Sequence, residues 1–215
     1  CDAYDTGHSS TSISAGVGYV CASKVSGEEY HVVSVIGDGA LTGGMAYEAL
    51  NNAASLNKNF VIVLNDNKMS ISENVGGISS YLSNLRTAES YTDLKSEVKK
   101  TLNKVPGIGP VMVQRIHKTK DSIKQLMIPG MFFEDMGIKY LGPVNGHDCG
   151  RMIQVFQEAK KVNGPVLVHV QTEKGRGYEP ARKHPARFHG TSAFNLEHGI
   201  PLKTGGKANY TDIFS

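Results

Sequence analysis

The feature that most constrains this chain is a pair of short apolar runs, HVVSVIG (31–37) and FVIVLN (60–65), separated by one helix-length segment. Both are nearly continuous and rich in β-branched residues, the pattern of strands covered on two faces. Between them, MAYEALNNAASL (45–56) carries Met45, Ala49, Ala53 and Leu56 on one helical stripe. Strand, helix and strand in such quick succession make a βαβ unit and hence a parallel sheet. The rhythm extends on both sides. SSTSISAGVGYVCASKV (9–25) predicts a helix opened by capping hydroxyls and ended by Gly27. IKYLGPV (138–144), a helix over 148–162 and PVLVHVQT (165–172) repeat the alternation. The expected fold class is α/β: an open, mostly parallel sheet with helices on both faces. Residues 81–127 read as a polar, helical excursion, and from Glu173 onward the sequence is irregular. His31 and His169 fall within apolar runs and are expected in the core.

Open α/β sheets bind ligands at the carboxyl ends of their strands. Here the two runs end in polar loops, VIGDG and LNDNKMSIS, which set Asp38 and Asn67 29 residues apart, each just past its strand. In a parallel unit those ends lie side by side, so the two side-chain oxygens can converge. A carboxylate, an amide oxygen and a backbone carbonyl suit a hard divalent cation such as Mg2+, which completes its shell with water and substrate phosphate. Asp38 therefore need not repel an anion, because it holds the metal that binds one. The Gly39 and Ala40 amides at the following helix start approach the same anion. Taken singly, GDG is an ordinary tight turn and NDN an Asx turn. Their pairing on adjacent strands favours the metal reading.

GDG with a downstream Asn resembles the signature of thiamine-diphosphate enzymes. The stretches GHSSTSISAG, GDGALTGGMAYEALNNA, LNDNKMSIS, NGHD, KGRGYEPA and FHG occur in the order of one family, and the chain is similar to the 1-deoxy-D-xylulose-5-phosphate synthases. The likeness weakens over residues 85–130 and 192–215. It implies a thiamine-diphosphate-binding fold and the joining of pyruvate to D-glyceraldehyde 3-phosphate with loss of CO2, which opens non-mevalonate isoprenoid synthesis. It implies thiamine diphosphate and Mg2+ as cofactors, with Asp38, Asn67 and the Met69 carbonyl as metal ligands. Gly39 and Ala40 would meet the diphosphate. Gly7, His8 and Ser9 would line the cofactor site, with Tyr178 and Lys174 contacting it, and His189 and His8 would be the catalytic histidines. One departure is Asn145, where the family usually carries Asp. His147 beside it is expected to cap and pack the loop.

The resemblance further implies a dimeric, cytoplasmic bacterial enzyme, a plastid homologue being the other option. It implies that residues 1–190 are a thiamine-diphosphate-binding domain incomplete at its N-terminus, with 191–215 a linker toward a pyrimidine-binding domain. The segment alone is then expected not to turn over. Three cysteines without a CxxC pair suit a reducing compartment. A formal charge of +3 gives no reason to expect nucleic acid, and no apolar run is long enough for a membrane span. The one nucleic-acid-like feature is LNKVPGIGPVMVQRI (102–116), which resembles a helix–hairpin–helix within a basic stretch. Residues 95–124 carry eight Lys/Arg against Glu97 and Asp121, the usual composition of a solvated helical face. A transketolase is the alternative within the thiamine-diphosphate class.

Overall fold

The computed structural model describes residues 3–72, 74–87 and 131–202. The helix–hairpin–helix reading and most of the excursion expected at 81–127 lie outside these residues. The chain divides into two units, Cys1–Thr172 and Glu173–Ser215.

The first unit is built on four parallel strands in the order β1-β2-β4-β3: β1 (Val33–Gly37), β2 (Phe60–Asp66), β3 (Lys139–Asn145) and β4 (Pro165–Gln171). Helix α1 (Ser12–Ser26) precedes β1, and α2 (Gly44–Ala53) joins β1 to β2. Helices α3 (Gly77–Thr87) and α4 (Met131–Asp135) lie on the path from β2 to β3, and α5 (Cys149–Ala159) returns the chain to β4. Right-handed crossovers require that a reversal in strand order also switch the face of the sheet. The cores agree. Phe60, Ile62, Leu64, Tyr140 and Leu167 pack on the α1–α4 side, and Val61, Val63, Leu141, Val166 and Val168 on the α5 side. The expected α/β architecture with helices on both faces is the one observed.

Strands β2 and β4 are buried along nearly their whole length, as their apolar runs predict. Strand β1 corrects the expectation made for it. It alternates, with Ile36 and Ser34 buried while Val33 and Val35 are 54% and 60% exposed. It lies at the sheet margin, and the helix on the α5 side packs against β3 and β4. His31, expected in the core, is exposed just before this strand. The buried stripe of α2 is Ala46, Ala49, Leu50 and Ala53, while Met45 faces solvent, so the true stripe is rotated by one residue from the expected one. Helix α1 begins at Ser12 with Thr11 as N-cap, but no hydroxyl caps it. Ser10 is diverted instead to the carbonyl of Ala40. Gly27 ends the helix in the left-handed region, as expected.

Among its described residues the second unit contains one short helix, α6 (Glu179–Lys183), and an aromatic cluster of Tyr178, Phe188 and Phe194 with ring centroids 5.1–5.9 Å apart.

Candidate functional site

The carboxyl ends of β1, β2 and β4 are tied into one rim. The Asp38 N–H donates to the Asn65 carbonyl (3.1 Å), and the Thr172 N–H to the Asp66 carbonyl (2.9 Å). The Thr172 hydroxyl donates to Asn65 Oδ1 at 2.7 Å. Asp38 and the Asp66–Asn67 turn thereby become neighbours, as the spacing of the two loops predicts.

Asp38 is only 2% exposed. Its Oδ2 accepts the Asn74 side-chain amide at 2.8 Å, which pins the 67–76 loop against it. Burial first, then the hydrogen bond and charge of neighbouring Asp66, raise the Asp38 pKa to about 6 against the opposing pull of the Gly39 and Lys68 backbone N–H groups. A carboxylate so placed lacks the counter-charge that a cation would bring. Asn67 is half-buried, and its Oδ1 accepts the Met69 N–H at 3.0 Å, so the Asx turn read from NDN is real. That turn sets Asn67 and Met69 side by side.

Gly39 and Ala40 follow as a tight turn, with a 3-10 segment over Ala40–Thr42 before α2 begins at Gly44. A Cβ on Gly39 would meet Ser70 Cβ at 2.7 Å and Asn74 Oδ1 at 3.1 Å, so only glycine lets the 67–76 loop close this tightly. Gly7, His8 and Ser9 form an exposed loop ahead of α1. Ser10 seats that loop on the Asp38 turn. It adopts a φ of 69°, and its Oγ donates to the Ala40 carbonyl at 2.7 Å. The first unit thus gathers Asp38, Asn67, Met69, Gly39, Ala40 and the 7–9 loop at one end of the sheet.

Lys174, Tyr178 and His189 belong to the second unit. Lys174 Nζ lies 3.0 Å from His189 Nδ1. An ammonium has no lone pair, so the imidazole nitrogen accepts, and the neutral ring keeps its proton on Nε2. Tyr178 donates its hydroxyl to the Leu196 carbonyl at 2.8 Å and packs its ring on Phe188 and Phe194.

Asn145 and His147 form a small Asx turn, Asn145 Oδ1 accepting the His147 N–H at 3.0 Å. An Asp at this position could accept the same bond. The cap of α5 is Asp148, whose Oδ1 accepts the Arg151 N–H at 2.9 Å.

Ser10, Asp66 and Asn74 were not singled out from the sequence as site residues, and His169 was expected only as part of the core. Asp66 had a readable signal, since it shares strand parity with Leu64 and so points to the same buried face. His169 is buried as expected, but as a polar link: its Nε2 lies 2.9 Å from Asp66 Oδ2, and its Nδ1 lies 2.7 Å from the Tyr140 hydroxyl. Burial opposes the Asp66 charge, but the hydrogen bond and charge of His169 and the charge of Arg86 outweigh it and hold the pKa below the usual carboxylate value. Among the described residues no group of three or more His, Cys, Asp or Glu side chains could hold a metal ion. No helix among the described residues is long and apolar enough to cross a membrane.

A family model described as 1-deoxy-D-xylulose-5-phosphate synthase matches residues 1–172. Two relatives bear that same description. One, from Lachnoclostridium phytofermentans, is 53% identical over 214 residues, covering 100% of this chain and 34% of the relative. The other, from Desulfitobacterium hafniense, is 54% identical over 213 residues, covering 99% of this chain and 34% of the relative. The chain thus spans about a third of the length of the curated relatives it matches. Among solved structures, a transketolase from Campylobacter jejuni superposes with a TM-score of 0.55 at 21% identity, covering 84% of this chain and 23% of that one. That likeness extends to the fold.

Proposed function

The chain belongs to the 1-deoxy-D-xylulose-5-phosphate synthase family, and from that membership we propose that it forms the diphosphate- and metal-binding half of a thiamine-diphosphate site. The longer protein of which this is a part would join pyruvate to D-glyceraldehyde 3-phosphate with loss of CO2. When bound, thiamine diphosphate supplies the carbon nucleophile and electron sink that this joining requires.

The observation that carries the reading is Asp38. It is a nearly buried carboxylate at the rim of β1, beside the Asp66–Asn67 turn, with its pKa pushed up to about 6. Mg2+ would relieve that charge, with Asp38 and Asn67 as side-chain ligands and the Met69 carbonyl as the third protein oxygen. The bare backbone of Gly39 and Ala40 would meet the diphosphate, and Gly7, His8 and Ser9 would line the same cofactor. In the second unit Lys174 would complement phosphate oxygens, and Tyr178 would contact the cofactor. His189, its Nδ1 occupied by Lys174, has Nε2–H to donate to a developing oxyanion. The aminopyrimidine-activating part of the site would come from elsewhere in the protein, so residues 1–215 alone would not turn over. Dimerisation and a bacterial cytoplasmic setting complete the proposal, the latter consistent with the free cysteines Cys21 and Cys149.

Calorimetric titration of the full-length protein with thiamine diphosphate, with and without Mg2+, tests this reading. Binding should require Mg2+ and be lost in Asp38→Ala and Asn67→Ala. Unchanged affinity in Asp38→Ala would refute it. Product from pyruvate and D-glyceraldehyde 3-phosphate, rather than from ketose donors, distinguishes the synthase from a transketolase.

A further inference from the structure

Behind the candidate metal ligands runs a chain of buried polar groups that their roles leave unexplained. Asp66 is 1% exposed, and both its carboxylate oxygens are engaged. Oδ1 accepts Arg86 Nη1 at 2.5 Å and the Lys68 N–H at 3.2 Å. Oδ2 faces His169 Nε2 at 2.9 Å, and His169 Nδ1 faces the Tyr140 hydroxyl at 2.7 Å. His169 is 0% and Tyr140 1% exposed, and Phe133 stacks parallel to the Tyr140 ring at 6.1 Å. These residues cross the sheet from β3 through β4 to β2 on the α3–α4 face.

The directions of the bonds follow from the groups themselves. A carboxylate paired with arginine only accepts, so His169 presents Nε2–H to it. The ring's Nδ1 meets the Tyr140 hydroxyl. Burial holds the Tyr140 phenol far above its ordinary range, so its hydroxyl stays protonated. The link runs unbroken from Tyr140 through His169 to Asp66.

Burying charge in this way is a poor route to stability, since well-packed apolar residues often do as well or better. What the arrangement does is immobilise one carboxylate. Asp66 precedes Asn67 directly, holds the Lys68 N–H of the same turn, and adjoins Asp38. We propose that Asp66, locked by Arg86 and by the Tyr140–His169 relay, is the positioning residue that holds Asp38 and Asn67 at the separation a small divalent cation needs. The inference rests on the metal reading given above. A loosened pair would still attract cations, but would discriminate less between Mg2+ and the larger, more tolerant Ca2+.

The test measures Mg2+ and Ca2+ dissociation constants by calorimetry in the full-length protein with thiamine diphosphate present. Outer partners of metal ligands typically influence affinity by about 10–100-fold. His169→Leu should weaken Mg2+ by about tenfold or more and narrow the Mg2+/Ca2+ ratio. His169→Gln, which keeps a donor in place of Nε2, should restore most of both. Tyr140→Phe, which changes no shape, should show a smaller loss in the same direction. A purely structural role would lower the folded fraction and leave both constants and their ratio unaltered. Wild-type constants in folded His169→Leu would overturn the inference; if that variant does not fold, wild-type constants in Tyr140→Phe would do so. Asp38→Ala is the control. Wild-type binding there sinks the metal reading itself, whereas its loss beside unaltered His169→Leu and Tyr140→Phe sinks only the positioning role.

Discussion

Removing the charge of Asp38 should make the ligand-free protein more stable. Its pKa rises from 3.8 to about 6 on folding, with burial as the main cause and Asp66 next. Each unit corresponds to about 1.36 kcal/mol, so ionising Asp38 in the fold costs about 3 kcal/mol relative to the unfolded chain. The sign follows from the raised value. The stability contributed by this group is present below pH 3.8 and disappears as pH rises through about 6. Asp38→Asn keeps the shape, still accepts the Asn74 amide and gains a donor toward Asp66. It loses acceptor capacity for one backbone N–H, which offsets about 1 kcal/mol. The expected net gain at pH 7.5 is about 2 kcal/mol, read by urea unfolding of metal- and cofactor-free protein. The gain should shrink toward zero, or change sign, as pH falls below about 4. With saturating Mg2+ and thiamine diphosphate the order should reverse, because only the wild type gains from binding. An Asn variant no more stable than wild type at pH 7.5, with a difference independent of pH, would refute the reasoning.

Three further outcomes are expected. Ser10→Ala removes the bond to the Ala40 carbonyl and leaves a φ of 69° on a residue that tolerates it poorly; cofactor affinity by calorimetry should fall several-fold, about 1 kcal/mol. Gly16→Ala puts a Cβ 2.6 Å from the Phe60 ring beneath α1; thermal unfolding should show a loss of about 1–3 kcal/mol while metal affinity stays unchanged. Asp148→Ala deletes the α5 cap and should lower stability by about 1 kcal/mol in denaturant, again without moving metal affinity.

Much of this was legible because it depends on local pattern. The runs 60–65 and 165–172 are buried strands, as β-branched continuity predicts, and the two polar loops meet at one rim because parallel pairing leaves them no other place. Strand β1 was misread for a nonlocal reason. HVVSVIG has the composition of a doubly covered strand, but whether Val33 and Val35 are covered depends on what packs against the sheet margin, which composition does not encode. Met45 was misplaced because an alanine-rich helix has little contrast between faces, so a one-residue rotation fits nearly as well. Ser10 looked like a capping hydroxyl because capping and loop-seating use the same chemistry, and the deciding partner, Ala40, lies 30 residues away. His169 was rightly expected inside, but in an apolar role. Its partner Asp66 is 103 positions distant, beyond any motif.

The strand order has a consequence in time. Strand β2 has its final neighbours on both sides only when β4 is inserted between it and β3. The βαβ unit that brings Asp38 near Asn67 is local and can form early, but the bonds that clamp its rim, from Thr172 and His169 to Asp66, bridge more than a hundred residues. Closing so long a loop is slow and entropically costly, and its contacts form late. On a ribosome, the ligand-bearing turn is therefore made well before its clamp has been synthesised. The rim proposed to hold a metal is thus the last part of this unit to be completed, set by the emergence of β4.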